Sequence, residues 1–139
     1  MSALVDTSFL HAFKNLDDED HKRAVELFQE LLHHEHGTPY TTDLIFAEAV
    51  TVALVRTGRH SAAVGVGEMR LREHRGKPFF SLHHVSPTEL SAAWEEFRRH
   101  RDQSLSLTDW ASVVVARDLD IDSILTFDRW FDGIHSRLC

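Results

Sequence analysis

Ala3-Leu4-Val5-Asp6-Thr7-Ser8-Phe9-Leu10 is a short apolar run that breaks off in a carboxylate and two hydroxyls before apolar residues resume at Phe9, Leu10, Ala12 and Phe13. The pattern predicts a buried strand, an acid at its carboxyl end and then a helix. In open α/β sheets ligands bind in the crevice outside the carboxyl ends of the strands. One acid there means little by itself, because Asp is also a good helix cap.

Working outward, Ala24, Leu27, Phe28, Leu31 and Leu32 recur at helical spacing from His21 onward, and Gly37 reads as the stop signal. Asp17, Asp18, Glu19 and Asp20 suit the positive end of that helix. Pro39-Tyr40-Thr41-Thr42 predicts a second strand. Thr42 or Asp43 then caps a helix over 44–57, ended by Gly58. Ile45, Val52 and Val55 share a face of this helix, and Glu48 lies on the same face. A carboxylate on an apolar face is costly unless paired or ligating; the alternatives are a salt bridge to an Arg and a metal. Residues 61–75 predict a helix weakened by Gly65 and Gly67, and Phe79-Phe80-Ser81-Leu82 a third strand. Ser86-Pro87-Thr88-Glu89 opens a helix running to about Arg101, and Leu105 to Leu119 forms another. Ser123 to Phe127 is a strand, with Asp128 directly after it. Strands alternating with helices imply an α/β fold with a mainly parallel sheet of four to five strands and helices on both faces. No linker or repeat divides residues 1–139, so a single domain is expected.

Asp6 and Asp128 each end a strand, Glu48 sits a turn into the helix after the second strand, and Asp109 lies in the first turn of a late helix. In a parallel sheet such positions point to the same edge, so four acids distant in sequence can meet. Close carboxylates resist ionising together. A hard divalent cation removes that penalty, and Mg²⁺ or Mn²⁺ takes such oxygen ligands. The cluster suits metal-assisted hydrolysis of a phosphodiester. Each acid also has a plainer reading. Asp6 can cap the helix after it, Asp109 can complete a capping box with Ser106, and Asp128 can cap the Arg129-Trp130-Phe131 turn.

Val5-Asp6-Thr7-Ser8, Phe46-Ala47-Glu48-Ala49, Leu107-Thr108-Asp109 and Leu125-Thr126-Phe127-Asp128-Arg129 resemble, in order and interval, the four acidic motifs of the PIN-domain nucleases. The compact form resembles the VapC toxin component of VapBC toxin–antitoxin pairs. The resemblance implies a PIN-like three-layer sandwich and a Mg²⁺- or Mn²⁺-dependent endoribonuclease. It also implies a homodimer and an antitoxin partner whose peptide docks in a groove. Carried over by motif, Asp6, Glu48, Asp109 and Asp128 are the metal-site and catalytic acids. Thr126, with Thr7 and Ser8, supports them; Ser8 stands where some relatives carry Asn.

Other chemistry fits less well. The eleven histidines show no His-Glu-x-x-His pattern, and the lone Cys139 offers no partner for zinc or a disulfide. Asp118, Asp120 and Asp122 alternate as in a calcium loop, but Ser123 and Arg129 occupy the positions needing Gly and Glu. There is no phosphate-binding Gly-rich loop, and no second acid near Ser8 for an aspartyl-nucleophile phosphatase. Two basic groups, Arg56 to Lys77 and Arg98 to Arg101, could track RNA or form solvated faces. Arg129, beside Asp128, is the preferred phosphate holder. Trp94, Trp110 and Trp130 read as core or interface. Composition agrees: 42% hydrophobic and 27% charged residues fit a globular chain with a core, and the net charge of −7 is not that of an obvious nucleic-acid binder. No apolar run is long enough for a membrane and Asp6 interrupts any signal-type stretch, so a cytoplasmic location is expected. The competing functional classes are a non-catalytic PIN-fold module binding RNA or peptide, and a DNA-directed nuclease or phosphatase on the same metal site.

Overall fold

A computed structural model describes residues 1–139. Its strands are β1 (Ser2–Val5), β2 (Thr38–Thr42), β3 (Glu73–His74), β4 (Lys77–Pro78), β5 (Ser81–His83), β6 (Ser123–Leu125) and β7 (Arg137–Leu138). Its helices are α1 (Thr7–Lys14), α2 (His21–Leu32), α3 (Asp43–Thr57), α4 (His60–Glu68), α5 (Pro87–Arg99) and α6 (Leu107–Asp118), with single 3₁₀ turns at Met69–Leu71 and Arg129–Phe131. The central sheet has the order β5-β2-β1-β6-β7, and every pairing in it is parallel.

Buried strands need apolar residues on both faces, and β1 supplies Ala3, Leu4 and Val5, none with any exposure. It lies mid-sheet, paired to β2 on one side and β6 on the other. From β1 the chain steps to β2 and then β5. It returns across the sheet to β6 and then β7. Right-handed crossovers place α1 to α4 on one face and α5 and α6 on the other. α1 packs on α2, α3 and α4, and α5 on α6, in keeping with that division, while α3 also meets α6. The direction of winding reverses between β1 and β6, which makes the carboxyl ends of these two strands the switch point.

Several predicted boundaries shift. α2 ends at Leu32, not at Gly37, and His34 takes the left-handed conformation beyond its end (φ 58°). Gly37 instead leads into β2 at φ 72°, where a Cβ would sit 1.8 Å from the Met1 carbonyl oxygen. The helix predicted over 61–75 stops at Glu68; the chain then makes a 3₁₀ turn and a β3–β4 hairpin, with Arg75 and Gly76 both at positive φ in its tip. The third sheet strand begins at Ser81, two residues later than the apolar pattern implied. Phe79 and Phe80 serve the core instead, in an aromatic series with Phe28, Phe13 and Phe9. α3 is ended by Gly58 (φ 65°), as expected, and Thr42 caps it from the hydroxyl at 3.1 Å. Its buried seam is Ile45, Ala49 and Ala53, whereas Val55 is exposed. The predicted face was turned by about one position, because small alanines form the seam packed against neighbouring helices. Of the tryptophans only Trp110 is core; Trp94 and Trp130 are about half exposed. The terminal segment is held as a fifth sheet strand, β7, which its two residues did not announce.

Candidate active site

Asp6 directly follows β1 and sits at the N-cap of α1, yet its side chain caps nothing. It is 2% exposed. One oxygen, Oδ2, accepts from the Thr126 hydroxyl at 2.9 Å, with Ser8 Oγ 3.4 Å away. Thr126 Oγ1 accepts from the Asp128 amide (3.0 Å), and Ser8 Oγ accepts from the Phe127 amide (3.0 Å). The two hydroxyls lie 3.0 Å apart. With the Thr126 proton committed to Asp6, Ser8 donates to Thr126. The result is a directed chain, Ser8 to Thr126 to Asp6, that stitches the end of β1 to the end of β6. The other oxygen of Asp6, Oδ1, is buried and has no partner. An unsatisfied buried carboxylate oxygen is expensive.

Asp109 belongs to a capping box: its amide donates to Ser106 Oγ (3.1 Å) and its Oδ2 accepts from the Ser106 amide (2.8 Å). The Ser106 hydroxyl donates in turn to Glu48 Oε2 at 3.2 Å, joining the start of α6 to α3. Glu48 has no cation within salt-bridge distance, so the arginine pairing considered from the sequence does not form. Asp128 caps its 3₁₀ turn, Oδ1 accepting from the Trp130 amide at 2.9 Å. Asp109 and Asp128 therefore do cap, and Asp6 does not. All four acids nonetheless line one crevice of about 150 Å³, with Thr7, Ser8, His11, Val52 and Arg56. In each acid one oxygen is engaged by the protein and no hydrogen bond reaches the second.

The acids feel one another. Burial pushes the Asp6 carboxyl up to about 6, against the pull of the Thr126 hydroxyl, and the Glu48 charge adds to the rise. Asp109 is pushed up to about 7 by burial first, then by the charges of Asp6 and Glu48. No three acidic or histidine side chains are close enough together to form a ready cage for an ion. Mg²⁺ does not need one: it binds through one or two carboxylates and keeps several waters. An all-oxygen donor set with an unpartnered buried oxygen fits such a hard cation and does not suit a soft one.

Arg129 is exposed and is not among the crevice-lining residues; the arginine on the rim is Arg56. The sequence offers Arg56 only as one of a basic group that could track RNA and does not single out His11, although helical spacing contains both. Glu48, Val52 and Arg56 are four apart along α3, and Ser8 and His11 three apart along α1. Burial and then the Arg56 charge hold the His11 imidazole below its usual range, and its Nε2 is buried without a partner.

The sequence pattern of the PIN domain family matches residues 3–135. The chain belongs to the PIN-domain family. Among solved structures, this PIN-domain protein is similar to Mycobacterium tuberculosis VapC20, described as a sarcin-ricin loop cleaving toxin. The identity is 28% and the TM-score 0.78, over 91% of this chain and 90% of that one. It shares its fold with VapBC2 from Rickettsia felis, solved bound to a DNA fragment from their promoter, at 11% identity and TM-score 0.65 over 99% and 98% of the two chains. No curated protein sequence matches it. No helix of this PIN-domain protein is long and apolar enough to cross a membrane.

Proposed function

We propose that this PIN-domain protein is a Mg²⁺- or Mn²⁺-dependent endoribonuclease and the toxin of a toxin–antitoxin pair, acting in the cytoplasm as a homodimer held in check by a cognate antitoxin. One observation carries the catalytic reading: four carboxylates from four separate segments line one crevice at the sheet's switch point, each with an oxygen free of protein partners. The similarity to VapC20, described as a sarcin-ricin loop cleaving toxin, supports RNA as the substrate.

Asp6, Glu48, Asp109 and Asp128 are the acids from which the ion would take one or two direct ligands, with water filling its other positions. When bound, the cation supplies a water of lowered pKa and offsets charge on the phosphate. The chain's own groups do the rest. The Ser8–Thr126 relay fixes the rotation of the Asp6 carboxylate, and the Ser106 box fixes Asp109 and Glu48 together. Such outer partners determine whether ligands are preorganised. Arg56 offers a permanent cation to a phosphate on the rim.

Cleavage of a structured RNA, a single-stranded DNA and bis(p-nitrophenyl) phosphate, measured side by side with Mn²⁺, with Mg²⁺ and with chelator, tests the reading. Cleavage of RNA alone, abolished by chelator, is expected. Hydrolysis of DNA or the small ester at a comparable rate would remove the assignment to RNA.

A further inference from the structure

The acidic crevice opens onto a second, larger cleft of about 340 Å³ between α1, α3 and α4. The two share His11 and Arg56 as a common border. Beyond that border the character changes from acid to base. Lys14 lines the cleft from the last turn of α1, Arg56 from the last turn of α3, and Arg59 from the α3–α4 connection, with Asn15 and Thr57 between them. Asp18 is the single carboxylate in the lining.

None of Lys14, Arg56 and Arg59 forms an ion pair. In a chain of net charge −7 most of the other arginines are occupied, with Arg75, Arg101 and Arg129 the exceptions. Arg23, Arg98, Arg99, Arg117 and Arg137 pair with carboxylates, and Arg70 and Arg72 lie over the Phe46 and Phe28 rings. Three uncommitted cations around one concave surface attract a polyanion. The hairpin cations Arg75 and Lys77 line a different cleft, which shares no residue with the acidic crevice.

We propose that the Lys14–Arg56–Arg59 cleft is the seat for the sugar-phosphate backbone of the RNA strand adjoining the bond to be cut. Arg56 stands at the passage between the two sites. The division is chemically sensible: the acids hold cations and repel bare phosphate, so the flanking phosphates need a basic surface, and it must be continuous with the crevice. The inference rests on the ribonuclease reading but is separable from it, because binding can be measured without turnover.

The test is fluorescence anisotropy of a labelled 15-nucleotide oligoribonucleotide in chelator, titrated at several salt concentrations against wild type, Lys14→Gln/Arg59→Gln and the hairpin pair Arg75→Gln/Lys77→Gln. Losing two phosphate contacts to a single strand lowers the slope of log affinity against log salt by about 1.4. The same loss weakens binding about tenfold near physiological salt. The cleft pair is expected to show both effects and the hairpin pair neither. A slope unchanged in the cleft pair, or reduced equally by both pairs, overturns the proposal even if the enzyme cuts RNA. Absence of metal-dependent cleavage by wild type would instead overturn the ribonuclease reading, while the salt slopes still decide the cleft.

Discussion

At the residue scale, Asp6 and Thr126 have measurable signatures. Asp6 rises from 3.8 to about 6 on folding. Its folded form therefore favours the proton. The associated stability is complete below pH 3.8 and is lost as pH rises through about 6. The metal-free protein should thus be strained at pH 8. Asp6→Asn removes that strain, on the order of 2–3 kcal/mol. Its melting temperature without metal should exceed wild type by several degrees at pH 8, with little difference at pH 4. A variant less stable than wild type at pH 8 would show that the buried carboxylate is not strained. Thr126→Val keeps the shape but leaves the Asp128 amide without its acceptor and Asp6 Oδ2 without its closest donor. The expected cost is about 1–3 kcal/mol in denaturant melts, with a fall of roughly 10–100-fold in RNA cleavage.

At the scale of elements, two helices carry the same start signal with different consequences. α5 opens with the Ser86–Glu89 capping box and α6 with Ser106–Asp109. Ser86→Ala and Ser106→Ala should each cost about 1 kcal/mol. Only Ser106→Ala should also slow RNA cleavage, because Ser106 alone holds two of the crevice acids. Equal activity in the two variants would contradict a role for that box in the site. Gly37→Ala should fail more severely, by more than about 2 kcal/mol, since a Cβ at 1.8 Å from the Met1 carbonyl forces apart the start of the β1–β2 pairing; urea unfolding reads this directly.

The elements also explain what the sequence could disclose. β1, α3, α5 and α6 were legible because each pairs an apolar pattern with a terminal signal: Asp6, Gly58, Pro87 or Ser106. The β3–β4 hairpin was not, because Arg70, Arg72 and Arg75 continue a helix-like charge pattern and two-residue strands have no periodicity. β7 was hidden for the same reason. The Glu48 face was displaced because Ala49 and Ala53 look neutral in a sequence, yet they fill the closest helix contacts.

For the whole molecule, the parallel order β5-β2-β1-β6-β7 does the assembling. It places β1 beside β6 and reverses the winding between them, so residues 6 and 126–128 become neighbours across 120 positions. Acids were findable because strand ends and helix starts share an edge. Arg56 was legible only as one of a basic group that could track RNA; its place on the rim follows from its position two turns of α3 after Glu48. Sequence reading favoured Arg129 for its adjacency to Asp128, but adjacency along the chain does not bring an exposed residue into the crevice. The same topology keeps the acidic crevice and the basic cleft on one continuous surface.

The central claim is that Asp6, Glu48, Asp109 and Asp128 act as one site for a divalent cation. Calorimetric titration of Mn²⁺ into wild type, Asp6→Asn, Asp109→Asn and the exposed control Asp102→Asn measures it most directly. Wild type and the control are expected to bind, with affinity reduced roughly tenfold or more in both site variants. Mn²⁺ bound equally well by all four proteins would contradict it.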